Sequence, residues 1–355
     1  MGAASLLCSG EPAYEFRHEY GFSFGASTSR LCAAALPCLA GIGCIYQAVA
    51  ARADRLDHPP PGRLLDVEGC RLHVQIAGRG APAVVLETGL GGMSAAWGWI
   101  RPEVARFTTV VAYDRAGLGW SGSDSSPKSA SLAARRLHGL LCRSSVPPPY
   151  IMVGHSMGGL FARVFADLFP NEVAGMVLLD AVHPDQHLRS AAICCHMRTG
   201  FRFLKAIPLL TRLGYVRLAG LLGAWADGLP VRQAAEAQAF LSDYGHLTTT
   251  RDESLAWDTI CGEVRAAKRL RTIPLAVITA AKDVLPGQPE LQGELAALSS
   301  DSVHVAVRGA DHVTLVTRRE HALTVVEVIR HVVARARNLQ SAHCRPRRQR
   351  MTTIT

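Results

Sequence analysis

Runs rich in Val, Ile and Leu recur at 64–67, 71–76, 83–87, 109–113, 150–154, 175–180, 274–279 and 302–307. Between most of the later runs lie stretches whose apolar residues repeat with helical spacing, at 94–106, 131–143, 158–169, 289–299 and 319–336. Strands alternating with helices of this length predict βαβ units, and so an α/β fold with a mostly parallel central sheet flanked by helices. The first two runs differ. Leu65 and Leu72–Gln75 flank Glu68-Gly69, which predicts an antiparallel hairpin ahead of the alternation. The rhythm breaks once more between Ala181 and Arg271, where many Leu, Phe, Ala and Trp occur without a clear strand. A structureless loop of that length does not fit a compact domain, so 182–270 is expected to be a helical insertion.

The N-terminal region reads differently again. Residues 1–30 show no periodicity and are expected to be poorly ordered. From Leu31 to Ala51 no charged residue occurs, and Arg30 and Arg52 bracket the run. At 1.5 Å per residue such a run reaches across a hydrocarbon core of about 30 Å, so 31–51 is expected to be a membrane anchor of undecided orientation. Its Ala-rich make-up, with Pro37, leaves a helix packed on the domain as the other reading. Residues 52–62, ending in His58-Pro59-Pro60-Pro61-Gly62, read as an extended linker, 63–336 as the main domain, and 337–355 as a basic tail.

Composition narrows the classes. Of 355 residues, 48% are apolar and 19% charged, which fits a chain with a large core and excludes a disordered one. The net charge of +9 falls to +3 without Arg335, Arg337, Arg345, Arg347, Arg348 and Arg350, all in the last 21 residues. The body is therefore nearly balanced, and no groove-reading motif supports a nucleic-acid partner. Ten Cys are scattered without a CxxC pair, which fits a reducing compartment better than a disulfide framework. His183, His187 and His196 lack the His-Glu-x-x-His pattern of a zinc site, so no metal is expected.

The chemistry concentrates in Tyr150-Ile-Met-Val-Gly154-His155-Ser156-Met157-Gly158-Gly159, a strand followed by Gly-x-Ser-x-Gly and a helical pattern. A serine on a tight strand-to-helix turn is exposed and strained. The glycines allow strand and helix to pass closely, and the helix N-terminus directs N–H groups at an oxyanion beside it. Here the chain resembles the α/β-hydrolase family, over roughly 63–336 with 182–270 as a lid.

The resemblance implies a nucleophile, Ser156, followed in sequence by an acid and a histidine. His312, in Arg308-Gly309-Ala310-Asp311-His312, is similar to the family's general base, while His155 is expected to pack. Two residues suit the acid: Asp283, after the strand that begins at Pro274, is preferred, and Asp180, at the end of Gly175–Leu179, is the alternative. The implied oxyanion donors are the backbone N–H groups of Met157 and of Leu90, in Thr88-Gly89-Leu90-Gly91-Gly92. Asp114-Arg115-Ala116-Gly117-Leu118-Gly119-Trp120-Ser121 resembles a structural turn of the family. The implied function is hydrolysis of a small carboxylic ester with an apolar acyl group, beneath a lid bearing Phe201, Leu209, Tyr215 and Trp225, without cofactor or metal. Amide, peptide or thioester substrates form one alternative and a non-catalytic binding protein another. An aminopeptidase needs a lid carboxylate for the substrate ammonium, and Glu236, Asp243, Glu253 and Glu263 are the candidates.

Overall fold

The computed structural model describes residues 27–267 and 270–344. Of the segment 1–30 expected to be poorly ordered, 1–26 lie outside the described residues, as does the end of the basic tail, 345–355, while 27–30 are helical. The chain divides into two units, 1–42 and 43–355, and the sheet and the candidate site belong to the second.

Eight strands form one sheet: β1 (Arg63–Val67), β2 (Cys70–Ala77), β3 (Ala83–Glu87), β4 (Val110–Tyr113), β5 (Tyr150–His155), β6 (Val173–Leu179), β7 (Leu275–Ala280) and β8 (Ser302–Val307). Their spatial order is β1-β2-β4-β3-β5-β6-β7-β8, with β2 antiparallel to both neighbours and β3 to β8 parallel. The predicted hairpin pairs Val67 with Cys70, and its turn residues Glu68 and Gly69 both have positive φ, 53° and 77°. That pair of left-handed conformations matches the right-handed twist of the flanking strands.

Nine helices are needed to place the site and its surroundings: α1 (Ser27–Asp57), α2 (Ala130–Arg143), α3 (Gly158–Leu168), α4 (Ala191–Arg212), α5 (Val231–Phe240), α6 (Tyr244–Leu255), α7 (Trp257–Ala266), α8 (Gln288–Ala296) and α9 (Arg319–Cys344). Central strands are buried on both faces, which is why they read as continuous apolar runs instead of alternating ones. Val85, Met152, Leu178 and Val277 face one core, filled by Leu137 and Leu140 of α2, Leu160 and Phe165 of α3 and Ile260 of α7. Their sequence neighbours Val84, Ile151, Val177 and Ile278 face the other, closed by Val325, Ile329 and Val332 of α9. The last helix runs on to Cys344, past the expected tail boundary at 337, because Ala336 is still buried in that core and Arg337 donates to the carbonyls of Ala81 and Phe107 at 2.8 and 3.0 Å.

Between β6 and β7 the described chain is helical, as expected for the insertion. Its apolar residues do not all turn inward. Ile207, Val216 and Leu247 form a small core of their own, whereas Leu209, Tyr215 and Trp225 are exposed.

The anchor expected at 31–51, and with it a membrane location, is overturned. No helix among the described residues is long and apolar enough to cross a membrane. The run is instead the middle of α1, which starts at Ser27 and continues through Arg52, Asp54 and Arg55 to Asp57, shortening the expected linker to the Pro59–Pro61 segment. From Gly43 on, α1 is seated on the insertion. Buried Gln47 donates to the Ser242 carbonyl at 2.6 Å, and Asp54 pairs with Arg217 at 2.5 Å. At Gly43 a Cβ would lie 2.2 Å from the Leu213 carbonyl oxygen, while at Gly41 it would meet nothing within 4 Å.

That contrast gives opposite signs to two equivalent changes. Gly41→Ala should stabilise the chain by about 0.5–1 kcal/mol through helix propensity, and Gly43→Ala should destabilise it by about 1–3 kcal/mol through backbone displacement. Thermal unfolding of the two variants measures both.

Candidate active site

β5 ends at His155, and the chain turns at Ser156 into α3 with φ of 56° at the serine, a conformation that side-chain-bearing residues seldom adopt. The turn is this tight because nothing separates its limbs. A Cβ at Gly154 would lie 2.7 Å from Gly158 and Gly159, and one at Gly158 would lie 2.4 Å from the Glu87 carbonyl oxygen. Two backbone bonds pin the turn: Ser156 N–H to the Leu179 carbonyl and Val182 N–H to the Ser156 carbonyl, both 3.0 Å.

Ser156 Oγ lies 2.9 Å from His312 Nε2, and His312 Nδ1 lies 2.6 Å from Asp180 Oδ2. An ionised Asp180 can only accept, so Nδ1–H donates to it, and Nε2 is left to accept the serine proton. Burial alone would raise the Asp180 pKa, but the hydrogen bond and charge of His312 and the N–H of Ala280 hold it below the usual carboxylate value. The second oxygen, Oδ1, takes Ala280 N–H and the Gln288 amide, each at 3.2 Å. Gln288 begins α8 and was not anticipated. Nothing in its local sequence marks it, since its contact is with a strand end 108 residues away.

The structure brings Asp180, the alternative acid, to His312, and not Asp283, the preferred one. Asp283 points to solvent beside Lys282 at 3.9 Å, its side chain 75% exposed against 2% for Asp180. The loop after β7 carries it away from His312, while Asp180, at φ of 41°, is turned toward the imidazole at the end of the adjacent strand. His155 donates from Nε2 to the His312 carbonyl at 2.9 Å, so it steadies the backbone of the histidine loop. Burial, reinforced by the neighbouring His312, takes the His155 pKa down to about 3 and keeps it neutral.

The expected oxyanion loop lies against the serine. A Cβ at Gly89 would be 2.9 Å from that of Ser156. Among the described residues, the N–H groups of Leu90 and Met157 make no hydrogen bond within the chain. Beneath the loop, Arg115 is buried between two carboxylates, at 2.6 Å from Glu87 Oε1 and 2.7 Å from Glu253 Oε1. Burial would lower its pKa, and the Glu253 and Glu87 charges more than reverse that. Glu87 is raised by burial, against the Arg115 charge and a hydrogen bond from the Tyr113 hydroxyl. Asp114 takes the N–H groups of Ser94 at 2.6 Å and Trp120 at 3.1 Å, so this turn ties neighbouring loops together.

The four insertion carboxylates considered for an ammonium are all engaged. Glu253 holds Arg115, Glu263 takes the Ala130 N–H at the start of α2 at 2.6 Å, Asp243 caps α6 through the His246 N–H at 3.0 Å, and buried Glu236 pairs with Arg232 at 2.9 Å. An open cleft of about 930 Å³ lies at the opposite, N-terminal ends of the parallel strands, lined by Arg63, Arg79, Arg101 and Arg232. None of Ser156, Asp180 and His312 borders it.

Two buried histidines tie stability to pH. The pKa of His155 is about 3 and that of His246 is also below its ordinary 6.5, each chiefly through burial. Near pH 6.5 the unfolded chain begins to bind protons that the folded chain refuses. Their contribution is therefore complete above about pH 6.5 and shrinks as pH falls toward the folded values. The thermal midpoint should drop between pH 7 and pH 5, and His246→Gln should flatten that dependence.

Comparison with known proteins agrees with this architecture. A model of the alpha/beta hydrolase fold matches residues 82–317. The uncharacterised protein YqjL of Bacillus subtilis is 33% identical over 115 residues, 32% of this chain and 46% of its own length. The chain thus spans less than half of that relative, and 47% of another from the same organism, YbdG, at 26% identity over 44% of this chain. Among solved structures, ALR0039 of Nostoc sp. PCC 7120 superposes with a TM-score of 0.66 at 19% identity, over 76% of this chain and 96% of its own, a likeness of fold alone. The family match spans β3 to the turn after His312 and includes every residue of the serine, histidine and aspartate constellation, so this chain belongs to the α/β-hydrolase family.

Proposed function

We propose that this hydrolase is a serine esterase in which Ser156 is the nucleophile, His312 the general base and Asp180 its orienting acid. The observation that carries the reading is the unbroken relay from Ser156 Oγ through His312 to Asp180 Oδ2, at 2.9 and 2.6 Å. These are hydrogen-bond distances already suited to proton transfer.

In this reading Ser156 Oγ attacks the acyl carbon as its proton passes to His312 Nε2. The negative charge developing on the carbonyl oxygen is met by the free N–H groups of Leu90 and Met157. His312 then gives the proton to the departing alkoxide as the carbon–oxygen bond breaks, leaving an acyl group on Ser156. Water, deprotonated by the same nitrogen, releases the acid and restores the serine. A serine at the elbow supports acyl transfer through a covalent intermediate on its hydroxyl. Esters are favoured over peptides with a free amino terminus by the engagement of Glu236, Asp243, Glu253 and Glu263, each of which has another partner. The exposure of Leu209, Tyr215 and Trp225 removes them from an acyl pocket.

Hydrolysis of p-nitrophenyl esters from acetate to palmitate tests the proposal. Ser156→Ala should abolish turnover. Asp180→Asn should lower kcat by about 10⁴, the size of the loss when a serine protease loses its orienting carboxylate, and Asp283→Asn should leave it unchanged. Turnover that survives in Ser156→Ala would overturn the assignment.

A further inference from the structure

The loop that carries Leu90 is held from beneath by one side chain. Arg115 Nη1 donates to Glu87 Oε1 at 2.6 Å and to the Thr88 carbonyl at 2.7 Å, and Nη2 donates to the Gly89 carbonyl at 2.7 Å. The last bond matters most. The Gly89 carbonyl and the Leu90 N–H are opposite ends of one planar peptide group. A charged donor fixed on the carbonyl therefore sets the plane's orientation and polarises the N–H at its other end.

Arg115 does not hold this position alone. Glu253, on α6 of the insertion, takes Nε at 2.7 Å through Oε1 and Nη2 at 2.9 Å through Oε2, a bidentate grip on the guanidinium. Both side chains are buried, at 5% and 4% exposure, and the guanidinium stacks 4.6 Å above the Phe161 ring of α3. The same helix reaches the far side of the loop. His246 donates from Nε2 to the Gly91 carbonyl at 2.9 Å, while its Nδ1 accepts the Gly119 N–H at 3.0 Å. A Cβ at Gly91 would strike Thr250 of α6 at 2.6 Å. Thr88 and Gly89 before Leu90, and Gly91 after it, are thus fixed by Arg115 and by α6.

We infer that Arg115 and Glu253 are positioning residues for the oxyanion donor, and that the insertion, through α6, sets the geometry of the Leu90 N–H without touching the substrate. The inference rests on the serine-hydrolase reading above. It makes the insertion part of the catalytic frame: a displacement of α6 would slacken the Gly89–Leu90 peptide and weaken oxyanion binding even with Ser156, His312 and Asp180 intact.

Glu253→Gln in the full chain tests it, because an amide cannot accept from both guanidinium nitrogens. With p-nitrophenyl butyrate, kcat should fall about 10- to 100-fold, less than the roughly 10²- to 10³-fold loss from deleting an oxyanion donor, with little change in KM. A trifluoromethyl ketone inhibitor, which forms the oxyanion on Ser156, should weaken by the same factor. A variant that is folded by circular dichroism and retains wild-type kcat and inhibitor affinity would overturn the positioning role. If Glu253→Gln does not fold, His246→Gln, which disturbs the bonds to Gly91 and Gly119 and leaves Arg115 and Glu253 in place, decides: a smaller loss in kcat and inhibitor affinity supports the role and unchanged values overturn it. Absence of Ser156-dependent turnover in the wild type would overturn the hydrolase reading and this role together. Wild-type turnover with an unaltered Glu253→Gln would overturn the positioning role alone.

Discussion

Where β5 turns into α3 against the end of β3, backbone packs directly on backbone. No Cβ fits at Gly154 or Gly158, and the nearest atoms there are backbone, which cannot give way. This contact forces Ser156 into the left-handed region and brings the Glu87–Thr88 carbonyls against the first turn of α3. The loop that follows Glu87 then has no course except past the serine. Parallel strands deliver the other groups to the same end of the sheet, Asp180 from β6 and His312 from the loop after β8. The site is therefore a consequence of strand direction and of two glycines, with side chains added to a frame that the backbone sets.

Around that frame the protein places two buried charge systems of similar design. In one, the Asp180 carboxylate is sheltered by Ala280 and Gln288 and turned toward His312. In the other, the Arg115 guanidinium is sheltered by Glu87 and Glu253 and turned toward the carbonyls of the oxyanion loop. A buried charge is tolerated only when its partners and hydrogen bonds are nearly complete, and removing one partner typically costs several kcal/mol because the other charge stays buried. That penalty rigidifies both systems. Such rigidity is what acyl transfer requires, since donors that must reorient during the reaction contribute less than donors already in place.

Much of this was legible in the sequence, and the limits have physical causes. The sheet could be read because its central strands are buried on both faces and the helices between them keep their period. The elbow and the histidine beside its serine could be read because their motifs are local. Asp283 was preferred to Asp180 although the structure brings Asp180 to the histidine, because both end strands that enter the site and only the course of the loop after β7 separates them. Residues 31–51 read as a span because their polar partners are far away in sequence, with Gln47 bonding Ser242 and Asp54 bonding Arg217. Glu253 was noticed as a carboxylate but not as the partner of Arg115, 138 residues away. What the sequence hides here is consistently long-range pairing of single polar groups, for which neither period nor motif exists.

The central claim is that Ser156 carries the acyl group. Mass spectrometric mapping of the full chain after brief exposure to a fluorophosphonate, with and without prior incubation with a slowly hydrolysed ester, tests it most directly. The account predicts one adduct, on the peptide containing Gly154–Gly158, with the ester-treated sample carrying an acyl mass at Ser156 instead. An adduct on a different serine, or an unmodified Ser156 in a chain that still hydrolyses the ester, would contradict it.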